Sequence, residues 1–204
     1  MENSGVEILR EFAKSTNRQI VETEELYPLT GIRTFRKYKR TIYIPNNSEN
    51  TSYFVWFSDP YAKIGLPTIF CGAFIPLPIK TNSVLNIRNK NIIDKLNIFS
   101  KTKSNKIGYY RFDSKVVITG DVDSKLKSFL FKPLIQNQLL KALDVEMFMN
   151  VSINEYNIDF IPAFDGVSYL SIINPQSWCT EANDIEKMFM QIEKIRSVIE
   201  ESIA

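Results

Sequence analysis

Hydrophobic and polar positions along this chain follow two periods, and the switches between them predict its elements. Behind Ser4, a residue suited to cap a helix, Ile8, Leu9 and Phe12 recur at helical spacing. This first helix is expected to end around residues 15–17. From residue 19 to 45 the pattern is extended, with Ile42 and Ile44 alternating against Thr41 and Tyr43. A polar loop leads into an aromatic, β-branched run at 53–57, closed by Asp59-Pro60. Residues 66–79 read as one or two buried strands interrupted at Cys71-Gly72 and by prolines. Residues 84–87 read as a short strand, and 92–99 fit a strand or a helical turn equally well. A basic loop at 101–106 follows.

The second half is read in the same way. Residues 111–119 form the clearest strand. A helix follows, capped by Asp121 or Asp123, with Leu126, Phe129 and Leu130 on one face. Pro133 cannot sit inside a continuous helix, so the helix breaks or restarts there before Leu134, Ile135, Leu139, Leu140 and Leu143 continue the apolar face. Strands are expected at 148–153 and 157–161, and Asp165-Gly166 as a hairpin turn into a strand at 167–173. Thr180 opens a long final helix carrying Ile185, Met188, Phe189, Ile192, Ile195, Val198 and Ile199. The strands mostly connect without intervening helices. The expectation is therefore one α+β domain over 1–204: a largely antiparallel sheet, an N-terminal helix, a middle helix broken at Pro133 and a long C-terminal helix.

Composition then narrows the chemistry. The chain of 204 residues has no histidine, which excludes a Ser-His-Asp or Cys-His arrangement and any imidazole metal site. Cys71 and Cys179 are too far apart in sequence for a C-x-x-C site and read as buried small hydrophobes of a reducing compartment. Glycines do not cluster in a phosphate-loop pattern, so no cofactor is expected. No basic-then-apolar leader and no apolar run long enough for a spanning helix is found, which places the chain in the cytoplasm by elimination.

The net charge of +2 hides a polarity: residues 1–31 carry −3, residues 32–141 carry +13 and residues 142–204 carry −8. Either the basic middle meets an anionic partner or the acidic C-terminal part neutralises it within the fold. Basic and aromatic residues interleave most densely at Arg33, Arg36, Lys37, Tyr38, Lys39 and Arg40, which makes them the candidate binding residues. On a strand, Arg36, Tyr38 and Arg40 would share one face and Lys37 and Lys39 the other, the pattern of a solvated edge strand protected against aggregation.

Three readings of function follow. The first is a non-enzymatic domain that meets a protein or an anionic surface through the basic middle segment, nucleic acid being the less favoured partner. The second is a carboxylate-dependent enzyme. The strand end Gly120-Asp121-Val122-Asp123-Ser124 resembles the phosphoryl-transfer motif of haloacid-dehalogenase-like enzymes, but the later lysine and acidic pair of that pattern are missing, and helix capping is the simpler role. The third is a homo-oligomer joined through residues 185–199 of the final helix, against packing of that stripe on the chain's own sheet.

One segment carries a family resemblance. Phe112, Val116 and Asp121, in a Phe-x-x-x-Val-x-x-x-x-Asp strand, with Leu126, Leu130, Pro133, Leu139 and Leu140 in a Leu-x-x-Pro-broken helix, resemble a bacterial family of unknown function, domain of unknown function 3137. The later strands and final helix are similar in order, so the resemblance covers about the C-terminal half. It implies no catalytic residues. Members typically carry N-terminal membrane segments, and none is expected from the pattern of these residues.

Overall fold

The computed structural model describes residues 5–27, 38–47, 49–60, 69–92, 94, 105–145, 148–175 and 181–201. Helix α1 (Gly5–Ser15) buries Leu9, Phe12 and Ala13. It stops at Asn17, whose φ of 54° is left-handed. The Arg18 N–H then reaches back to the Ala13 carbonyl at 2.8 Å and the Asn17 N–H to the Lys14 carbonyl at 3.3 Å, which satisfies the last carbonyls of the helix.

Eight strands follow: β1 (Val21–Leu26), β2 (Tyr38–Pro45), β3 (Tyr53–Ser58), β4 (Ile69–Pro76), β5 (Leu85–Asn89), β6 (Val116–Gly120), β7 (Asn150–Ile153) and β8 (Tyr169–Asn174). They form one sheet in the order β1-β2-β3-β4-β8-β7-β5-β6, with every neighbouring pair antiparallel. Between β5 and β7 lie α2 (Tyr110–Asp113), α3 (Ser124–Leu130) and α4 (Pro133–Leu143). The last described element is α5 (Ala182–Glu201). This is the expected α+β architecture. The break at Pro133 is present too: Pro133 takes the first position of α4, where its missing N–H costs nothing.

Alternation along the strands gives each face its own core. On one face, Ile42, Ile44, Phe54, Trp56, Ile75, Ile87, Ile118, Val151 and Leu170 join the apolar sides of α1, α3, α4 and α5. Ile185, Met188, Phe189, Ile192, Ile195 and Ile199 of the final helix are all buried there, so this stripe packs on the chain's own sheet. On the other face, Tyr53, Val55, Phe70, Phe74, Tyr169 and Ile173 meet Tyr156, Ile158, Ile161 and Phe164 of the β7–β8 connection in a smaller, ring-rich core.

Four local expectations need correction. Cys71-Gly72 does not interrupt a strand: β4 runs straight through it. Gly72 is there because a Cβ would lie 2.2 Å from the Ile172 carbonyl oxygen of β8. The strand expected from residue 111 begins only at Val116. Upstream, the Asp113 carboxylate accepts the N–H groups of Ile107 and Gly108 at 3.1 and 3.0 Å and folds the segment into a turn of helix. Residues 157–161 are not a strand. The Asn157 side chain accepts the Asp159 N–H at 3.1 Å, and the segment turns to drop Ile158 and Ile161 onto the second core. The turn at Asp165-Gly166 therefore follows a short 3-10 helix (Pro162–Phe164) rather than joining two strands. Residues 61–68, 95–104 and Thr180, which several expectations included, lie outside the described residues.

Candidate functional site

Of the six candidate binding residues, Tyr38, Lys39 and Arg40 lie on β2; Arg33, Arg36 and Lys37 are outside the described residues. The antiparallel register sets the acidic strand β1 beside them, with Glu24 opposite Arg40 and Glu25 opposite Lys39. Arg40 Nε donates to Glu24 Oε2 at 2.5 Å while its guanidinium lies 5.3 Å from the centre of the Tyr38 ring. Tyr38 and Arg40 thus share a face, as strand alternation requires. Two residues back along β1, Glu22 accepts two hydrogen bonds of 2.7 Å from Arg10 of α1. Arg40 thus answers the acidic N-terminal segment rather than the acidic C-terminal one.

Asp121 and Asp123 are not equivalent. Asp123 caps α3: Oδ1 accepts the Leu126 N–H at 2.7 Å, and Oδ2 accepts the Thr81 hydroxyl. These donors, the Leu126 N–H foremost, hold its carboxyl below the ordinary range. Thr81 is itself fixed by Ser168, whose hydroxyl donates to the Thr81 carbonyl and accepts its N–H, both at 3.0 Å. Both Asp123 oxygens are therefore committed to structure, and Asp121 stands exposed beside an open hollow. No other carboxylate faces the pair in the hollow's described lining of Lys80, Asn82, Ser83, Ser124 and Lys125.

A cleft of about 770 Å3 opens where β5, β7 and the end of α4 meet. Its cations are also engaged. Arg88 makes a two-point pair with Asp94 at 2.6 and 2.8 Å, which holds the Asp94 carboxyl at about 2, and Lys90 Nζ donates to the Asp113 carbonyl at 2.7 Å. Phe148 stands on the lip with a left-handed φ of 65°.

The basic middle is most open elsewhere, around α2, α3 and the start of α4. Tyr109, Tyr110, Phe131 and Leu134 are all exposed there, Tyr110 at 87%. A Cβ on Gly108 would lie 3.8 Å from the Phe131 ring, so the turn bearing the two tyrosines abuts the end of α3. Lys127, one helical turn before Phe131, shares its face, and the Phe131 N–H closes on the Lys127 carbonyl at 2.9 Å. Lys106 and Arg111 flank the tyrosines and are exposed. Residues 105–134 contain six basic and three acidic side chains, net +3, and two of those acids, Asp113 and Asp123, are turned into backbone hydrogen bonds. Sequence reasoning missed this surface because it placed Arg111 in a strand. The available signal was the Tyr109-Tyr110 pair with Phe131, apolar residues outside the periodic core positions; Leu134, expected on the apolar face of its helix, is exposed instead.

Among the described residues no helix is long and apolar enough to cross a membrane, and no group of three metal-ligating side chains converges. Comparison with protein-family models, with curated proteins and with solved structures finds no match.

Proposed function

We propose that this chain is a non-enzymatic, cytoplasmic binding domain that meets an anionic partner through the basic middle of its sequence. The observation that carries this reading is the surface formed by Lys106, Arg111 and Lys127 around Tyr109, Tyr110, Phe131 and Leu134, where exposed rings sit among cations and two of the three nearby acids, Asp113 and Asp123, are taken up by backbone N–H groups. The Arg33–Arg40 stretch supplies the second part of the basic segment, with Arg40 already balanced by Glu24. Commitment of Asp123 to capping speaks against carboxylate catalysis, since a nucleophile or proton donor needs a free oxygen.

Retention on an immobilised sulfated polysaccharide tests the reading. The wild-type chain should be retained at low salt and released as salt rises, because exposed charges are screened. Replacing Lys106, Arg111 and Lys127 together with Glu should cause the larger loss of retention, with release at much lower salt. Reversal at Arg36, Lys37, Lys39 and Arg40 measures the share of the other stretch. A wild-type chain that passes straight through overturns the proposal.

A further inference from the structure

Resting on that reading, we infer that the partner of the Lys106–Leu134 surface is an anionic lipid bilayer, on which the domain docks through its exposed apolar residues. Three features of the patch choose among anionic partners. First, Leu134 and Phe131 are 61% and 52% exposed and carry no hydrogen-bonding group, so the apolar share of the surface is wasted on a hydrophilic polyanion. An aliphatic Leu134 has no ring to stack on a base, whereas an acyl-chain boundary accepts Leu and Phe alike. Second, Tyr109 and Tyr110 combine an apolar ring with a polar tip, the combination that suits the headgroup level. Third, exposed cations neighbour these residues along the chain: Lys127 shares the Phe131 face, Arg111 follows Tyr110, and Lys106 precedes the turn. Their aliphatic stems can lie along the apolar boundary while their charges meet lipid phosphates. Two copies of the chain brought together through this face would set net positive surfaces against each other, which argues against self-association there.

The attachment is shallow and reversible, since four side chains are what enters the boundary. It depends on both terms at once, apolar insertion and anionic headgroups.

Vesicle co-sedimentation decides the matter. The full chain should sediment with phosphatidylcholine vesicles that contain phosphatidylglycerol and stay in solution with phosphatidylcholine alone. Replacing Phe131 and Leu134 together with Ser should lower the partition coefficient about tenfold, while retention on the sulfated polysaccharide stays as in the wild type. Lys127→Glu should lower it at least fivefold or so. Lys14→Glu, at an exposed position in the last turn of α1 outside the basic middle, should leave it unchanged. If the double variant fails to fold, Tyr110→Ser at the most exposed position takes its place and should weaken vesicle binding in the same direction. A chain that is retained by the polysaccharide yet ignores anionic vesicles overturns the lipid inference and leaves the anion-binding reading standing. A chain that ignores both overturns both. Vesicle binding unaffected by loss of Phe131 and Leu134 also overturns the inference, because the attraction would then be charge alone.

Discussion

One oxygen of Tyr169 holds both backbone groups of Tyr156: the phenol donates to the Tyr156 carbonyl and accepts its N–H at 2.6 Å. Tyr169 stands at the start of β8 and Tyr156 in the connection that covers the second core, so this clasp fastens the cover to the sheet. Burial pushes both phenols well above their ordinary pKa, which keeps the proton that the clasp requires. Tyr169→Phe keeps the ring and strands a buried N–H and C=O. It should cost about 2–4 kcal/mol in urea unfolding. A loss of a few tenths would show that water replaces the hydroxyl and that the clasp is dispensable.

Arg18 joins the first helix to the last. It donates to both carboxylate oxygens of Glu186, to the Asn46 carbonyl at 2.8 Å and to the Asn46 side chain at 3.1 Å, with its guanidinium 4.9 Å from the Phe189 ring centre. The left-handed Asn17 that ends α1 aims it there. Arg18→Ala should destabilise by about 3 kcal/mol, and Arg18→Lys should recover less than half of that, because an ammonium cannot reproduce the planar fork. Chemical denaturation of both variants measures the difference; full recovery by Lys would reduce the role of the residue to its charge.

Gly72→Ala tests a close approach rather than a backbone angle. The added methyl would meet the Ile172 carbonyl at the seam between β4 and β8, and the loss should be about 3 kcal/mol or more, seen as a fall in Tm or as insoluble protein. Gly166→Ala is the useful contrast. Nothing lies within 4 Å of its Cβ position, and only the left-handed φ of 65° opposes the change, so about 1 kcal/mol is expected.

Glu155 gives stability a distinct dependence on pH. Burial raises its pKa, opposed in part by the Asn86 side chain donating at 2.7 Å and by Ser152. The folded state therefore binds this proton more tightly than the unfolded chain does. The contribution of Glu155 to stability falls as pH rises from the ordinary carboxyl value near about 4 through its higher folded value, and is level above that. Glu155→Gln, which keeps an acceptor for Asn86, should be more stable than the wild type at about pH 7 and lose that advantage near about pH 3. Urea midpoints at the two pH values give the answer; an advantage that persists at low pH would place its origin outside titration.

The sequence carried the long-period information well. The stripe at Ile185, Met188, Phe189, Ile192, Ile195 and Ile199 and the break at Pro133 were legible because each rests on spacing or on a covalent constraint of one residue. Legibility failed where a side chain competes with the backbone ladder. Asp113 bends 107–113 by accepting two N–H groups, and Asn157 turns a segment whose apolar residues alone look strand-like. Gly72 was misread for a different reason: its meaning depends on Ile172, a hundred residues away, and no local pattern reports a neighbour from another strand. The basic surface shared that fate. The excess of charge in residues 32–141 was visible, but which cations face Glu24 and which face outward is settled by strand register and by the turn at Asp113.

The strand order has a consequence for the birth of the molecule. β1 to β4 form one ribbon and β6, β5 and β7 form another, and β8 alone bridges them by pairing with β4 on one side and β7 on the other. Of the described strands, β8 is the last in chain order. While the chain is still emerging from the ribosome, β4, with Phe70, Cys71, Ala73, Phe74 and Ile75, has an open edge and no partner to close it. Closure of the sheet therefore waits for residues 169–174, a contact across roughly half the chain, and the nascent protein is most vulnerable to edge-to-edge aggregation in that interval.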